Sequence, residues 1–180
     1  MIINNWLYVN TPDNKSRFVL GSHGNNPLLC IGINPSTATP DKLDPAMKWL
    51  SEFSKNKGYD GFIMINIYPQ RGADPKKIDK QRNDDLHREN MYQINGVLKN
   101  IFKNNKQTIL AIWGVSIKVR PWLKDCLHEL VKNIQAFSSD YHWKCLGLTK
   151  EGHPSYPFGI KSNVDFIDFD INTYLKEIGI

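Results

Sequence analysis

The sequence predicts an α/β domain built on a central, mostly parallel sheet of four strands, with a β-hairpin at its N-terminus. Three observations predict it. Three continuous apolar runs of strand length, Leu28–Ile33, Gly61–Ile67 and Thr108–Trp113, are rich in β-branched residues and lack alternation, as strands covered on both faces do. Helix-like stretches lie between them, and a regular alternation of strand and helix implies βαβ units with right-handed crossovers. The 180 residues, 41% hydrophobic and 23% charged, suit one globular domain spanning 1–180 that buries a core without staples.

Each element has a local reason. Trp6–Val9 and Arg17–Leu20 flank the polar turn Thr11–Asn14 and read as the hairpin. The stretch Asp44–Phe53 opens with an Asp cap and a proline at the first helical position, and sets Met47, Leu50 and Phe53 on neighbouring turns. Asn83–Lys103 carries Leu86, Asn90, Ile94, Val97, Leu98 and Ile101 at near-helical spacing. Ser116–Lys132 repeats the pattern with Ile117, Leu123, Leu127, Leu130 and Val131, although Pro121 must bend or restart it. A fourth, weaker strand is Trp143–Leu148.

Composition removes several classes. Lys+Arg 23 against Asp+Glu 18 gives a net charge of +5, which favours acidic partners such as nucleic acid. Eighteen lysines to five arginines suit diffuse backbone attraction better than bidentate base reading. The basic run Lys99–Lys106 reads as a solvated helix face rather than a DNA track. Cys30, Cys126 and Cys145, odd in number and far apart, form neither a disulfide framework nor a metal knuckle; Cys30 and Cys145 read as small core residues. His23, His87, His128 and His142 have no ligand spacing, so no metal and no cofactor are expected. No apolar run approaches the length of about 18 residues that spans a bilayer. Met1–Trp6 lacks the pattern of a secretory signal, and a reduced, cytoplasmic setting is expected.

In an open α/β sheet, ligands bind beyond the carboxyl ends of the strands. Those ends gather polar residues, glycines and prolines: Gly32–Ala38, Asn66–Gly72, Trp113–Ser116 and Thr149–Pro157. Two readings stand for each. Asn34-Pro35-Ser36 is a stiff turn or part of a site, His153 a turn histidine or a catalyst, and Trp113-Gly114 a core aromatic beside a tight turn. Asn66, inside an apolar strand, is either bonded to loop backbone or aimed at a ligand, because a buried amide left unpaired is costly.

Taken in order, these strand ends resemble the uracil-DNA glycosylase superfamily. Gly32-Ile-Asn-Pro-Ser36 is similar to its G-I-N-P-G form, the mismatch-specific one. Ile63-Met-Ile-Asn66 is similar to its base-reading strand, Ala111-Ile-Trp-Gly114 to L-L-W-G, and His153-Pro-Ser-Tyr156 to H-P-S-P-L. The likeness covers roughly residues 27–160. The whole chain also resembles a bacterial and phage family sharing N-P-S-T-A, Asp44-Pro45, Asn66…Arg71…Asp74-Pro75, Asn83-Asp84 and Leu148-Thr-Lys-x-Gly-His-Pro154.

The first resemblance implies a three-layer sandwich and a glycosylase-like hydrolase that breaks the N-glycosidic bond of a base in DNA or a nucleotide. Asn34 then positions the attacking water, and His153 donates a hydrogen bond to the developing anionic base oxygen. Gly32, Ile33 and Asn66 line the base, with Tyr68 or Tyr156 stacked on it. Pro35, Ser36, Arg71, Lys150, Pro154 and Ser155 bind phosphates, and Phe158 is a candidate wedge. Departures from the pattern point away from ordinary uracil repair. The first motif lacks Asp, Ser36 replaces a glycine, the leucine wedge is missing, and three cysteines cannot hold a four-cysteine cluster. A modified or mismatched base, or a free nucleotide, is the expected substrate. The alternatives are a non-catalytic base-, nucleotide- or DNA-binding module of phage or bacterial origin, and an interaction protein with a vestigial pocket.

Overall fold

The N-terminal hairpin does not stand beside the sheet; it extends it. The computed structural model describes residues 2–3, 6–22, 24–101 and 107–180. Its strands are β1 (Ile2–Ile3), β2 (Trp6–Asn10), β3 (Arg17–Ser22), β4 (Pro27–Gly32), β5 (Gly61–Asn66), β6 (Gln107–Ala111), β7 (Tyr141–Cys145) and β8 (Ile167–Asp168). They form one eight-stranded sheet in the order β1-β2-β3-β5-β4-β6-β7-β8.

The expected sheet of four mostly parallel strands, and with it the glycosylase-like fold, is therefore corrected to a larger mixed sheet. The pairs β4–β5, β4–β6 and β6–β7 are parallel, whereas β1–β2, β2–β3, β3–β5 and β7–β8 are antiparallel, four pairings to three. The physical reason lies in β3, which is buried along nearly its whole length and so must be covered on both edges. Gly21 lets it close on β5, since a Cβ there would lie 2.6 Å from the Phe62 carbonyl oxygen.

Four helices cover the two faces: α1 (Pro45–Asn56), α2 (Asp84–Ile101), α3 (Leu123–Phe137) and α4 (Ile171–Glu177). The α1 side chains Met47, Leu50 and Phe53 pack with Leu28, Cys30, Phe62, Met64 and Leu110 on one face. On the other, α2, α3 and α4 pack against Leu29, Ile31, Ile63, Ile65, Ile109 and Trp113. Alternate residues of each central strand thus serve opposite cores. Asp44 caps α1 by accepting the Met47 N–H at 2.9 Å, with Pro45 in the first turn. Pro121 separates a 3₁₀ turn, Gly114–Lys118, from α3.

The connections leave β4 toward β5 over one face and reach β6, on the other side of β4, over the other. That reversal opens a crevice at the carboxyl ends of β4 and β6. Cys30, Cys126 and Cys145 are buried and free. Among the described residues, no helix is long and apolar enough to cross a membrane, and no group of three or more His, Cys, Asp or Glu gathers as for a metal. His23 and the part of the Lys99–Lys106 run beyond residue 101 lie outside the described residues.

Candidate functional site

The loops after β4 and β5 are sewn together. The Ile67 and Tyr68 N–H groups continue the parallel ladder onto the Gly32 and Ile33 carbonyls at 2.9 and 3.0 Å, and Gly72 N–H reaches the Pro35 carbonyl at 2.8 Å. Asn34 adds a staple: its Nδ2 donates to the carbonyls of Pro35, Gln70 and Gly72 at 3.3, 3.3 and 3.0 Å. The Asn34 Oδ1 accepts no hydrogen bond among the described residues, so the amide is held with its acceptor free.

Arg71 closes the same loop. Its Nη1 donates to the Ser36 carbonyl at 2.6 Å and the Ala38 carbonyl at 3.2 Å, and its Nη2 to the Tyr8 hydroxyl at 2.7 Å. Arg17, which sequence reasoning left in the hairpin, is 1% exposed and donates to the same Ala38 carbonyl at 3.2 Å.

Asn66 ends β5 opposite Gly32 and is fully buried. Its Nδ2 and Oδ1 have no hydrogen-bond partner. A Cβ on Gly32 would lie 3.2 Å from that Oδ1 and 2.4 Å from Met64 Cε, so the glycine makes the room the amide occupies on the α1 face. The Asn66 backbone carbonyl is bonded to Asn90 Nδ2 at 3.0 Å, a support from α2 that sequence reasoning placed only in a helical stripe. Backbone pairing therefore serves the main chain of Asn66, and nothing among the described residues serves its side chain.

At the end of β6, Gly114 takes a left-handed φ of 61° and donates its N–H to the Pro154 carbonyl at 2.9 Å, tying β6 to the loop after β7. Trp113 is buried, and its Nε1–H donates to the Tyr174 hydroxyl at 3.0 Å, which lies 2.9 Å from His153 Nδ1. Indole nitrogen only donates, so the Tyr174 oxygen receives that hydrogen; its own hydrogen, with no other acceptor among the described residues, goes to the imidazole. Burial pushes the Tyr174 phenol up to about 12, which keeps this proton in place. His153 is thereby held as the tautomer with hydrogen on Nε2.

Burial pulls the His153 pKa below 6.5; Glu151 opposes this, and Lys118 and Lys124 add to it. Because the unfolded chain takes up this proton near 6.5 and the native ring resists it, the His153 contribution to stability is level above that pH and is lost as pH falls below it. A proton-resonance titration of the ring is expected to give a midpoint under 6.5, and His153→Gln is expected to flatten the acid-side loss of stability. A midpoint above 6.5 contradicts the buried, neutral ring.

The other expected site residues are distributed as follows. Tyr68 is fully buried, its hydroxyl accepting the Asn83 N–H at 3.1 Å and its ring 4.7 Å from Trp122, so it offers no face for stacking. Pro154 is buried, and the Ser155 N–H is spent on the Gly147 carbonyl at 2.9 Å. Lys150 is exposed. Ser36 and Tyr156 face a common cleft of about 500 Å³, whose walls also include Thr37, Asp44, Trp49 and Phe158. Phe158 is 91% exposed at its rim. The structure thus joins Gly32 with Asn66, Asn34 and Ser36 with the Asn66–Gly72 loop, and Ser36 with Tyr156 across the cleft. It turns the His153 ring instead into the Trp113–Tyr174 cluster on the α2–α4 side.

The arrangement is that of an α/β domain with polar loops gathered at a sheet reversal. The family model described as a protein of unknown function (DUF1643) matches residues 17–158, and the chain belongs to that family. A search of curated proteins finds no match.

Proposed function

We propose that this protein acts in the cytoplasm on the N-glycosidic bond of a modified or mismatched base in DNA or a nucleotide, with Asn66 reading the base. One observation carries the reading: a fully buried amide at the carboxyl edge of the parallel strands whose Nδ2 and Oδ1 have no partner among the described residues. Such an amide lowers stability unless something else completes it, and one acceptor with two donors matches the edge of a pyrimidine-like heterocycle. The four motif likenesses and the surplus of positive charge support the same class of ligand.

In the reaction, water adds to the sugar carbon as the base leaves with the bonding electrons and then takes a proton. Asn34 Oδ1, fixed by its stapled Nδ2, orients that water. The His153 ring, turned into the Trp113–Tyr174 cluster on the sheet face opposite the Asn66 side chain, holds the loop after β7 rather than touching the base. A second reading has its own support. Asn34 is already engaged as a staple and the His153 ring is engaged with Tyr174, which suits a module that recognises a base without cutting it.

Incubation with single- and double-stranded oligonucleotides bearing uracil, mismatched thymine or modified cytosine, and with the matching nucleotides, separates the two. The hydrolase reading expects abasic sites or free base, reduced about 10²-fold by Asn34→Ala, which removes the group that orients the water. Salt-dependent binding without product at any enzyme concentration establishes the second reading. Neither product nor binding removes both.

A further inference from the structure

Two guanidinium groups converge on one carbonyl behind the first loop. Arg17 and Arg71 each donate from Nη1 to the Ala38 oxygen at 3.2 Å, and the Nε of each is buried without a partner among the described residues. Neither arginine is ion-paired to a carboxylate among the described residues. Burial, and then the like charge of Arg71, pull the Arg17 pKa down to about 10, which leaves it charged at neutral pH. The register shift between Val9 and Asn10 puts an extra residue in β3, so that Phe18 joins Val19 in one core while the Arg17 guanidinium reaches Ala38 in the other. A buried and a half-buried like charge with no carboxylate on them are costly in a protein that has no use for them.

The loop in front converts this charge into an oxyanion seat. In a trans peptide, C=O and N–H point to opposite sides. With the Ser36 carbonyl fixed on Arg71, the Thr37 N–H points away from the arginines, and Thr37 is exposed on the cleft wall. The N–H groups of Ser36 and Thr37 donate to no group among the described residues. Asp44, on the same wall, carries one negative charge but is engaged as the cap of α1. Tyr156, across the cleft, has its phenol raised by burial and then by Asp44, and lowered by Arg17. Trp49, Tyr156 and Phe158 supply an aromatic wall within the same space.

We infer that the Ser36–Thr37 loop, backed by the Arg17–Arg71 pair, seats the phosphate of a nucleotide whose heterocycle occupies the aromatic part of the cleft. This deepens the reading above and rests on its nucleotide ligand, but it does not require the glycosidic bond to break.

The test titrates the full-length protein with inorganic phosphate, with 2′-deoxyuridine 5′-monophosphate and with 2′-deoxyuridine, at ionic strength matched with chloride. Melting temperature and the Nε–H resonances of Arg17 and Arg71 are followed. Phosphate and the nucleotide are expected to shift both resonances saturably and to raise the melting temperature, whereas the nucleoside does neither. Arg17→Met leaves the Ala38 carbonyl its bond from Arg71 and is expected to weaken phosphate binding about tenfold or more. If that variant does not fold, the wild-type resonances decide. Absence of a saturable shift in the wild-type protein, or an undiminished response in folded Arg17→Met, overturns the seat. A 5′-phosphorylated oligonucleotide set against its unphosphorylated form separates a DNA end from a free nucleotide. A phosphate response without base release leaves this seat and removes the hydrolase; base release without a phosphate response does the reverse.

Discussion

Replacing Trp113 by alanine is expected to cost about 3–5 kcal/mol of stability, the range for emptying a buried aromatic site. The side chain is 1% exposed and is the hub of an aromatic cluster, with ring centroids 6.3 Å from Trp143, 5.9 Å from Phe169 and 5.7 Å from Tyr174. Its Nε1–H also sets the direction of the Tyr174–His153 hydrogen bond, so the substitution frees the imidazole to exchange tautomers. Tyr174→Phe isolates that second role. It keeps the ring but strands the Trp113 donor and the His153 acceptor, at an expected cost of about 1–3 kcal/mol. Equilibrium unfolding in urea measures both. A loss under about 1.5 kcal/mol for Trp113→Ala would mean that the cluster collapses around the gap, against the packing described.

Asn66→Leu is expected to move stability the other way. Leucine has nearly the same shape and removes two buried polar atoms that no group among the described residues satisfies, so a gain of about 1–3 kcal/mol is expected, together with loss of ligand binding. Asn90→Leu is the control. That residue is equally buried, but its Nδ2 completes the Asn66 carbonyl at 3.0 Å, so its removal is expected to destabilise by about 1–3 kcal/mol. Opposite signs at two buried asparagines 24 residues apart separate an amide kept for the fold from one kept for a ligand. Unfolding curves for both variants, with unchanged denaturant slopes, check this. Destabilisation by Asn66→Leu places Asn66 among ordinary core residues.

What the sequence disclosed follows from how far each signal reaches. The apolar runs at β4, β5 and β6 were legible because strands covered on both faces cannot alternate. The helices α1 and α3 were legible because Asp44-Pro45 and Pro121 act on the backbone directly, and the structure starts and breaks those segments there. The hairpin strands were marked by their turn, but nothing local showed that β3 would join the sheet at β5, and a short edge strand such as Ile167–Asp168 carries no periodicity. The helix Ile171–Glu177 did have one: Asp170 caps it, and Ile171, Tyr174 and Leu175 share a face.

At the site, Asn66 was conspicuous because an amide inside an apolar strand needs an explanation. Arg17 was not, since a charged residue beside a turn reads as solvent-facing; only the irregularity in β3 buries it. Tyr68 shows the converse. A tyrosine following a strand end suggests an accessible ring, yet the helix packed over it supplies the Asn83 N–H that draws it inward.

The most direct test is a crystal structure of the protein soaked with 2′-deoxyuridine 5′-monophosphate. The prediction is a heterocycle edge paired with both polar atoms of Asn66, with the phosphate on the Ser36–Thr37 loop. An Asn66 side chain completed by ordered water alone, beside an empty cleft at saturating nucleotide, would contradict it.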